Sequence, residues 1–323
     1  MMIFPFRILF FLLFFQTNLL LSIEKVGIAQ QEGTVQIIIP QKPLAKGSVQ
    51  IKQGIDQPYF SDWSDLNHRE TQKSIQRIIE IWEESKIDDY LVYGKEDGVS
   101  QFSWEIVPYP KKGNRLWKQF KVLWNITFGA SSILPKERER QAEDLRQKLS
   151  QISHIGQETR SCFCAEDPFC NPTIIERQLL FEGKEINLLY SHAPIASGKE
   201  KLHFLIAAKK HRIGFPDLTG SEYLEAMQLS QQLIDHYREK GFETTYLFHQ
   251  TGQEAGQNIP HWIMHVVFAA TKTQEFLTKL TILKNMLLGL SPMPEEEFLR
   301  RVKSLREELG ETLPTPFSNV AAK

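Results

Sequence analysis

QNIPHWIMHVV, residues 257–267, decides how this chain is read: two histidines, His261 and His265, bracket an isoleucine in a run that is either a helix or a strand. As a helix it would set the histidines four apart on one face, the spacing with which H-E-x-x-H sites hold zinc. Pro260 adjoins the first histidine, Trp262 stands where the general-base glutamate would be, and IPHWIMHVVF is rich in strand-favouring residues. The segment therefore reads as β. In a strand, His261, Ile263 and His265 share one face, and Trp262 and Met264 the other. The histidines then lie about 13 Å apart at Cα, at roughly 3.3 Å per residue, too far for one metal to hold both easily. A row of side chains along a groove is the better picture.

Working outward, the chain contains itself twice. GTVQIIIPQKPLAKGSVQIKQ (33–53) has the rhythm of KEINLLYSHAPIASGKEKLHFLIAA (184–208): a strand, a Pro-x-Ala loop, a second strand. SDLNHRETQKSIQRIIEIWEE (64–84) resembles PDLTGSEYLEAMQLSQQLIDHYRE (216–239), with Asn67 and Thr219 as cap-like residues before helical apolar stripes. DYLVYGK (89–95) then answers TYLFHQT (245–251), and QFSWEIV (101–107) answers HWIMHVV (261–267). Two helices close each half. The offset grows from 151 at Pro43 and Pro194 to 160 at the last strand, with nearly all the growth in loops, as a duplication with indels would do. The expected fold is α+β, tandem units whose antiparallel sheets and crossover helices form a pseudo-dimer within a monomer. The expected boundaries are a leader at 1–29, a first unit at 30–156 and a second at 157–323.

A formal net charge of −1 argues against a nucleic-acid footprint. The N-terminus is distinctive: MMIFPFR carries one positive charge, ILFFLLFF (8–15) is apolar, and Gly27-Ile28-Ala29 offers a small-residue cut before Gln30. A cleaved export signal, an uncleaved membrane anchor and an upstream start-codon error are the three readings. The first two make the protein exported or membrane-associated; the third leaves it cytoplasmic. All three cysteines fall within RSCFCAEDPFCNP (160–172), which suits either metal or redox chemistry or one local disulfide with a spare thiol. Trp262 with Met264 and Phe102 with Trp104 read as core, His203 as a packed strand residue, and the charged runs after Leu134 and Met293 as solvated helix faces.

AGQNIPHWIMHVVF resembles the signature strand of the histidine-triad (HIT) proteins, Ala/Gly-Gly-Gln-x-hydrophobic-x-His-x-His-x-His. LHFLIAAKKHRIGFPDLT (202–219) resembles the family's His-x-Leu-Val-Ile-Pro-Lys-x-His strand and the Asp-Leu that follows, and EDPFC (166–170) sits where many members carry Cys-x-x-Cys. The likeness runs through about 162–270, and the doubled form resembles the galactose-1-phosphate uridylyltransferase and diadenosine tetraphosphate phosphorylase branch. The resemblance implies that the middle histidine attacks phosphorus; Ile263 holds that position here, and since isoleucine has no lone pair the usual mechanism cannot run. His261 and His265 match the outer histidines and are the catalytic candidates. Gln250 and Asn258 stand where other polar residues help hold phosphate, Ser191 where an Asp commonly binds ribose, and Gly252, Gly256 and Gln257 are retained in a loop able to offer N–H groups to an anion. The first unit presents Gln101, Ser103 and Glu105 and is expected to supply sheet and interface only.

The resemblance also implies a zinc site. Its matching residues are Cys170, His211, His261 and, by spacing, Asp167 in place of a cysteine, with Cys162 or Cys164 as substitutes. Three functions follow as expectations. First is a catalytically impaired relative, a pseudoenzyme, that binds a phosphorylated small molecule such as a nucleotide. Second is an active nucleotide hydrolase or nucleotidyltransferase using a displaced histidine. Third is a structural or protein-interaction module at the cell envelope.

Overall fold

The computed structural model describes residues 27–54, 57–152, 167–288 and 291–313. The apolar leader run, Cys162, Cys164 and the boundary near 156 lie outside them. In chain order the elements are β1 (Ile28–Glu32), β2 (Val35–Ile38), β3 (Val49–Gln53), α1 (Asp65–Glu84), β4 (Tyr90–Glu96), β5 (Ser103–Pro108), α2 (Arg115–Phe128) and α3 (Pro135–Gln151). Then come α4 (Pro172–Gln178), β6 (Leu179–Glu182), β7 (Ile186–Tyr190), β8 (His203–Ala208), α5 (Gly220–Glu239), β9 (Thr244–Thr251), β10 (Ile263–Ala269), α6 (Lys272–Leu288) and α7 (Glu295–Gly310). The ten strands form one antiparallel sheet in the order β1-β2-β3-β5-β4-β9-β10-β8-β7-β6. The fold is α+β, as expected. The predicted cut before Gln30 falls inside β1, which pairs with β2.

The strand period sorts side chains between two layers. On β10, Met264, Val266 and Phe268 face a core shared with α1 and α5, together with Trp104, Trp262 and Leu247. Alternate residues face the other side, where Tyr93, Phe248 and Val267 meet residues of α2 and α6. The predicted division of Trp262 and Met264 from Ile263 and His265 is what the sheet shows.

Both crossover helices start at capping boxes, which satisfy otherwise orphaned N–H groups. Thr219 caps α5 through the Glu222 N–H at 3.2 Å, and Glu222 accepts from the Thr219 N–H at 2.8 Å. In α1 the cap is Ser64; Asn67 is its reciprocal partner at the third helical position, so the helix begins earlier than the sequence predicts. Among the described residues no helix is long and apolar enough to cross a membrane.

Candidate active site

His265 projects from β10 and His203 from the neighbouring β8. The register pairs His265 with Leu205 and Val267 with His203, so the two histidines are diagonal neighbours on one sheet face. His203 Nε2 lies 3.0 Å from His265 Nδ1. The Ile195 N–H donates to His203 Nδ1 at 3.2 Å, which makes that nitrogen an acceptor and puts the proton on Nε2. His203 therefore donates to His265 Nδ1, and the neutral His265 ring carries its own proton on Nε2. Phe248 stacks on that ring at 4.5 Å, only 3° from parallel. Burial pushes His265 down to about 4 and His203 well below its ordinary value, so both rings are neutral near pH 7. His265 thus presents a fixed N–H donor.

That donor sits in a cavity of about 880 Å³, roofed by α2 and α6 and lined also by Leu205, Phe248, Arg115 and Lys279. Ile263 lines it too, at the middle of the row as the sequence indicates. Ser191, Gln250, Gly256, Gln257 and Asn258 reach the same cavity. The loop's N–H groups are used within the loop. Gly252 N–H donates to Gln257 Oε1 at 2.8 Å, Gly256 N–H to the Gln253 carbonyl at 3.0 Å, and Gln257 N–H to the Gly252 carbonyl at 3.0 Å. The anion cradle that the sequence suggests is spent on holding the turn. Gly252 has φ +80° and abuts the Asp89 carboxylate, so no side chain fits there. Gln257 Nε2 donates to the His261 carbonyl at 3.1 Å, which ties this turn to the start of the signature strand.

His261 borders the same cavity but turns its ring nitrogens into a separate cluster. It is 1% exposed and precedes β10, and both ring nitrogens are engaged: Nε2 with the Ala208 carbonyl at 2.8 Å, Nδ1 with Asp167 Oδ2 at 2.6 Å. It has no nitrogen left for a substrate. His211 Nδ1 lies 2.9 Å from the same Asp167 oxygen and 3.7 Å from Cys170 Sγ. Asp167, Cys170, His211 and His261 thus converge, with donor atoms all within 4.8 Å of one another. In its neutral form, a His261 ring that donates from Nε2 leaves a bare Nδ1 aimed at a carboxylate oxygen. Two acceptors at that distance need a cation between or beside them, and the mixed N, O and S set is one that zinc accepts. The residues fit the metal. Elements place them as follows: Asp167 and Cys170 flank the short turn before α4, His211 leaves β8, and His261 enters β10. A buried Arg212–Glu222 ion pair at 3.0 Å braces the His211 segment against α5.

These contacts correct one expectation. Ile263 alone suggested an impaired, binding-only pseudoenzyme; the assembled site overturns that reading, because His211 and His261 are retained in an intact cluster with Asp167 and Cys170. The site has kept its histidines rather than lost them. His203 is buried within β8, as the sequence reading has it, but its role goes further. Read as strand packing, it is the partner of His265; alternation along β8 marks its face, but only strand register reveals the pairing. In the first half, Glu105 accepts from the Leu44 N–H at 2.7 Å, and burial pushes its carboxyl up to about 7.

The HIT domain family model matches residues 174–271, which include His203, His211, His261 and His265, with Asp167 and Cys170 just before the match. No curated protein matches the chain. Among solved structures, a galT-like protein from Arabidopsis thaliana is similar at 11% identity, with 85% of this chain and 84% of that one covered and a TM-score of 0.48. An ADP-glucose phosphorylase from Arabidopsis thaliana gives 11% identity, 84% and 82% coverage, and 0.49. A zinc-bound histidine triad family protein from Mycobacterium smegmatis gives 16%, 42% and 87%, and 0.31. At such identities and scores these are distant likenesses.

Proposed function

We propose that the chain is an active hydrolase or transferase for a phosphorylated, nucleotide-like ligand, with His265 as the displaced catalytic histidine. The observation that carries this reading is the His203–His265 pair, which fixes a neutral N–H donor inside the cavity. A phosphate oxygen of the ligand accepts from His265 Nε2–H. Water or an acceptor hydroxyl forms the new P–O bond and releases its proton to solvent. The bond to the leaving group breaks, the leaving oxygen takes a proton from solvent, and His265 keeps its Nε2 proton as a hydrogen-bond donor to the charge that develops. Arg115 supplies positive charge at the cavity wall. Zinc held by Asp167, Cys170, His211 and His261 would have four protein ligands and supply a structural cross-link.

The tandem reading belongs to the same proposal: residues 30–156 and 157–323 are two units in pseudo-twofold relation. Strand order supports it, since β1-β2-β3-β5-β4 meets β9-β10-β8-β7-β6 in reversed order. So does the central register. Val92 pairs with His249 and Tyr93 with Phe248, while the sequence match aligns Val92 with Phe248 and Tyr93 with His249, the exchange a twofold axis requires. The run Ile8–Phe15 supports an exported or membrane-held protein.

Diadenosine polyphosphates and nucleoside phosphoramidates test the activity. Wild type is expected to turn some of them over with no covalent nucleotidyl-protein accumulating, and His265→Ala to lose about 10²-fold or more at unchanged Tm. Wild-type turnover that survives His265→Ala, or none across the panel, overturns the assignment.

A further inference from the structure

Helix α2 is apolar on two opposite sides. At about 3.6 residues per turn, Val122, Leu123 and Ile126 align on the side that roofs the cavity, and Trp117, Phe120, Trp124 and Phe128 align on the other. The outer row is continuous, with ring centroids 5.6, 5.8 and 4.3 Å apart along it. It is also exposed: Trp117 to 64%, Trp124 to 50% and Phe128 to 60%. Packed beside it, α6 adds exposed Phe276, Leu277 and Leu280. An apolar surface extending over two helices marks a contact site rather than scattered surface residues.

Charge indicates what covers it. From Ile106 to Lys136 the chain holds no Asp or Glu, while it holds Lys111, Lys112, Arg115, Lys118, Lys121 and Lys136. Lys111 pairs with Asp88 and Lys118 with Glu254; Lys112 and Lys121 have no ion pair among the described residues. Tryptophan and phenylalanine on one face with lysines at its margins is the composition of a helix lying in a membrane interface, and the uncompensated cations match anionic headgroups. The first described residue, Gly27, donates its N–H to Glu139 Oε2 at 2.9 Å near the start of α3, the helix that follows α2.

We propose that the outer face of α2, extended by the exposed edge of α6, docks onto an anionic membrane surface with Trp117 and Trp124 at the headgroup–acyl boundary. This stands apart from the catalytic reading.

The tryptophans make the test selective. Trp63, Trp82, Trp104 and Trp262 are buried, and residues 1–26 contain none, so bromolipid quenching reports α2 and not the leader. The full chain is mixed with phosphatidylserine/phosphatidylcholine vesicles carrying brominated acyl chains. Emission should shift to the blue and be partly quenched, and that quenchable part should be lost in Trp117→Ser/Trp124→Ser at unchanged Tm. Lys112→Glu/Lys121→Glu should weaken the quenching, as should vesicles of phosphatidylcholine alone. Vesicle-bound protein with unquenched tryptophans overturns the proposal, because the leader then attaches the chain by itself. So does a blue-shifted emission without vesicles, whether concentration-dependent, from a second copy, or not, from the chain's own leader.

Discussion

At His265 the decisive fact is the location of one proton. The Ile195 N–H holds His203 in one tautomer, and His203 holds His265 in another, so the cavity receives a donor rather than a lone pair. This makes His203 a positioning residue with a distinctive test. A glutamine at 203 can accept from the Ile195 N–H and donate to His265 Nδ1; a leucine can do neither. His203→Gln is expected to keep kcat within about threefold, and His203→Leu to lose about 10²-fold, in line with the usual contribution of a positioned hydrogen-bond donor to developing charge. Steady-state rates on whichever substrate wild type accepts measure the difference. Equal losses in both variants would reduce His203 to packing. His203 was visible in the sequence as a strand residue, but its partner was not, because the partner lies 62 residues away on another strand.

At the scale of elements, the metal-ligand cluster joins three segments that would otherwise end independently: the turn before α4, the exit of β8 and the entry of β10. Binding to the folded state alone stabilises by RT ln(1 + [L]/Kd), about 2.7 kcal/mol at a hundredfold excess over Kd. Zinc added to chelator-treated protein should therefore raise Tm, with one equivalent taken up, and His211→Ala or Cys170→Ser should weaken both effects. A Tm indifferent to zinc and chelator would remove the metal from this cluster. The resemblance to the histidine-triad pattern implied these four residues, with Asp167 standing by spacing for a cysteine. It could not show that His261 would turn wholly into the cluster, because that depends on where the Ala208 carbonyl lies.

Across the whole molecule, buried titrating groups set the pH dependence. Burial lowers His68 to about 4, His249 to about 3 and His265 to about 4, so below 6.5 the unfolded chain takes up protons that the folded chain refuses. Their contribution is intact above 6.5 and declines as pH falls toward 4. Glu105 opposes this, because its raised folded value makes the native state bind the extra proton between about 4.5 and 7. With His203, also held well below its ordinary value, the net expectation is a stability loss on the order of 2–3 kcal/mol per pH unit from 6.5 down to 5. Denaturant titrations at pH 5 and 7 measure it, and Glu105→Gln should steepen the fall by removing the opposing group. A stability unchanged over this interval would mean that these histidines titrate normally.

Local sequence determined the strand reading of QNIPHWIMHVV, since Pro260 and the β-rich residues around it exclude the zinc helix, and it determined which side chains share a face, since alternation is a property of the strand alone. It also indicated the α+β class through the order of apolar periods. Tertiary structure decided the chemistry of the two histidines. His261 and His265 are four residues apart, yet the first, just before β10, is drawn into a buried carboxylate cluster and the second, within it, is set by a neighbouring imidazole. Proton positions and metal-ligand sets depend on atoms brought within about 3 Å by strand register and loop closure, and no run of residues contains that distance.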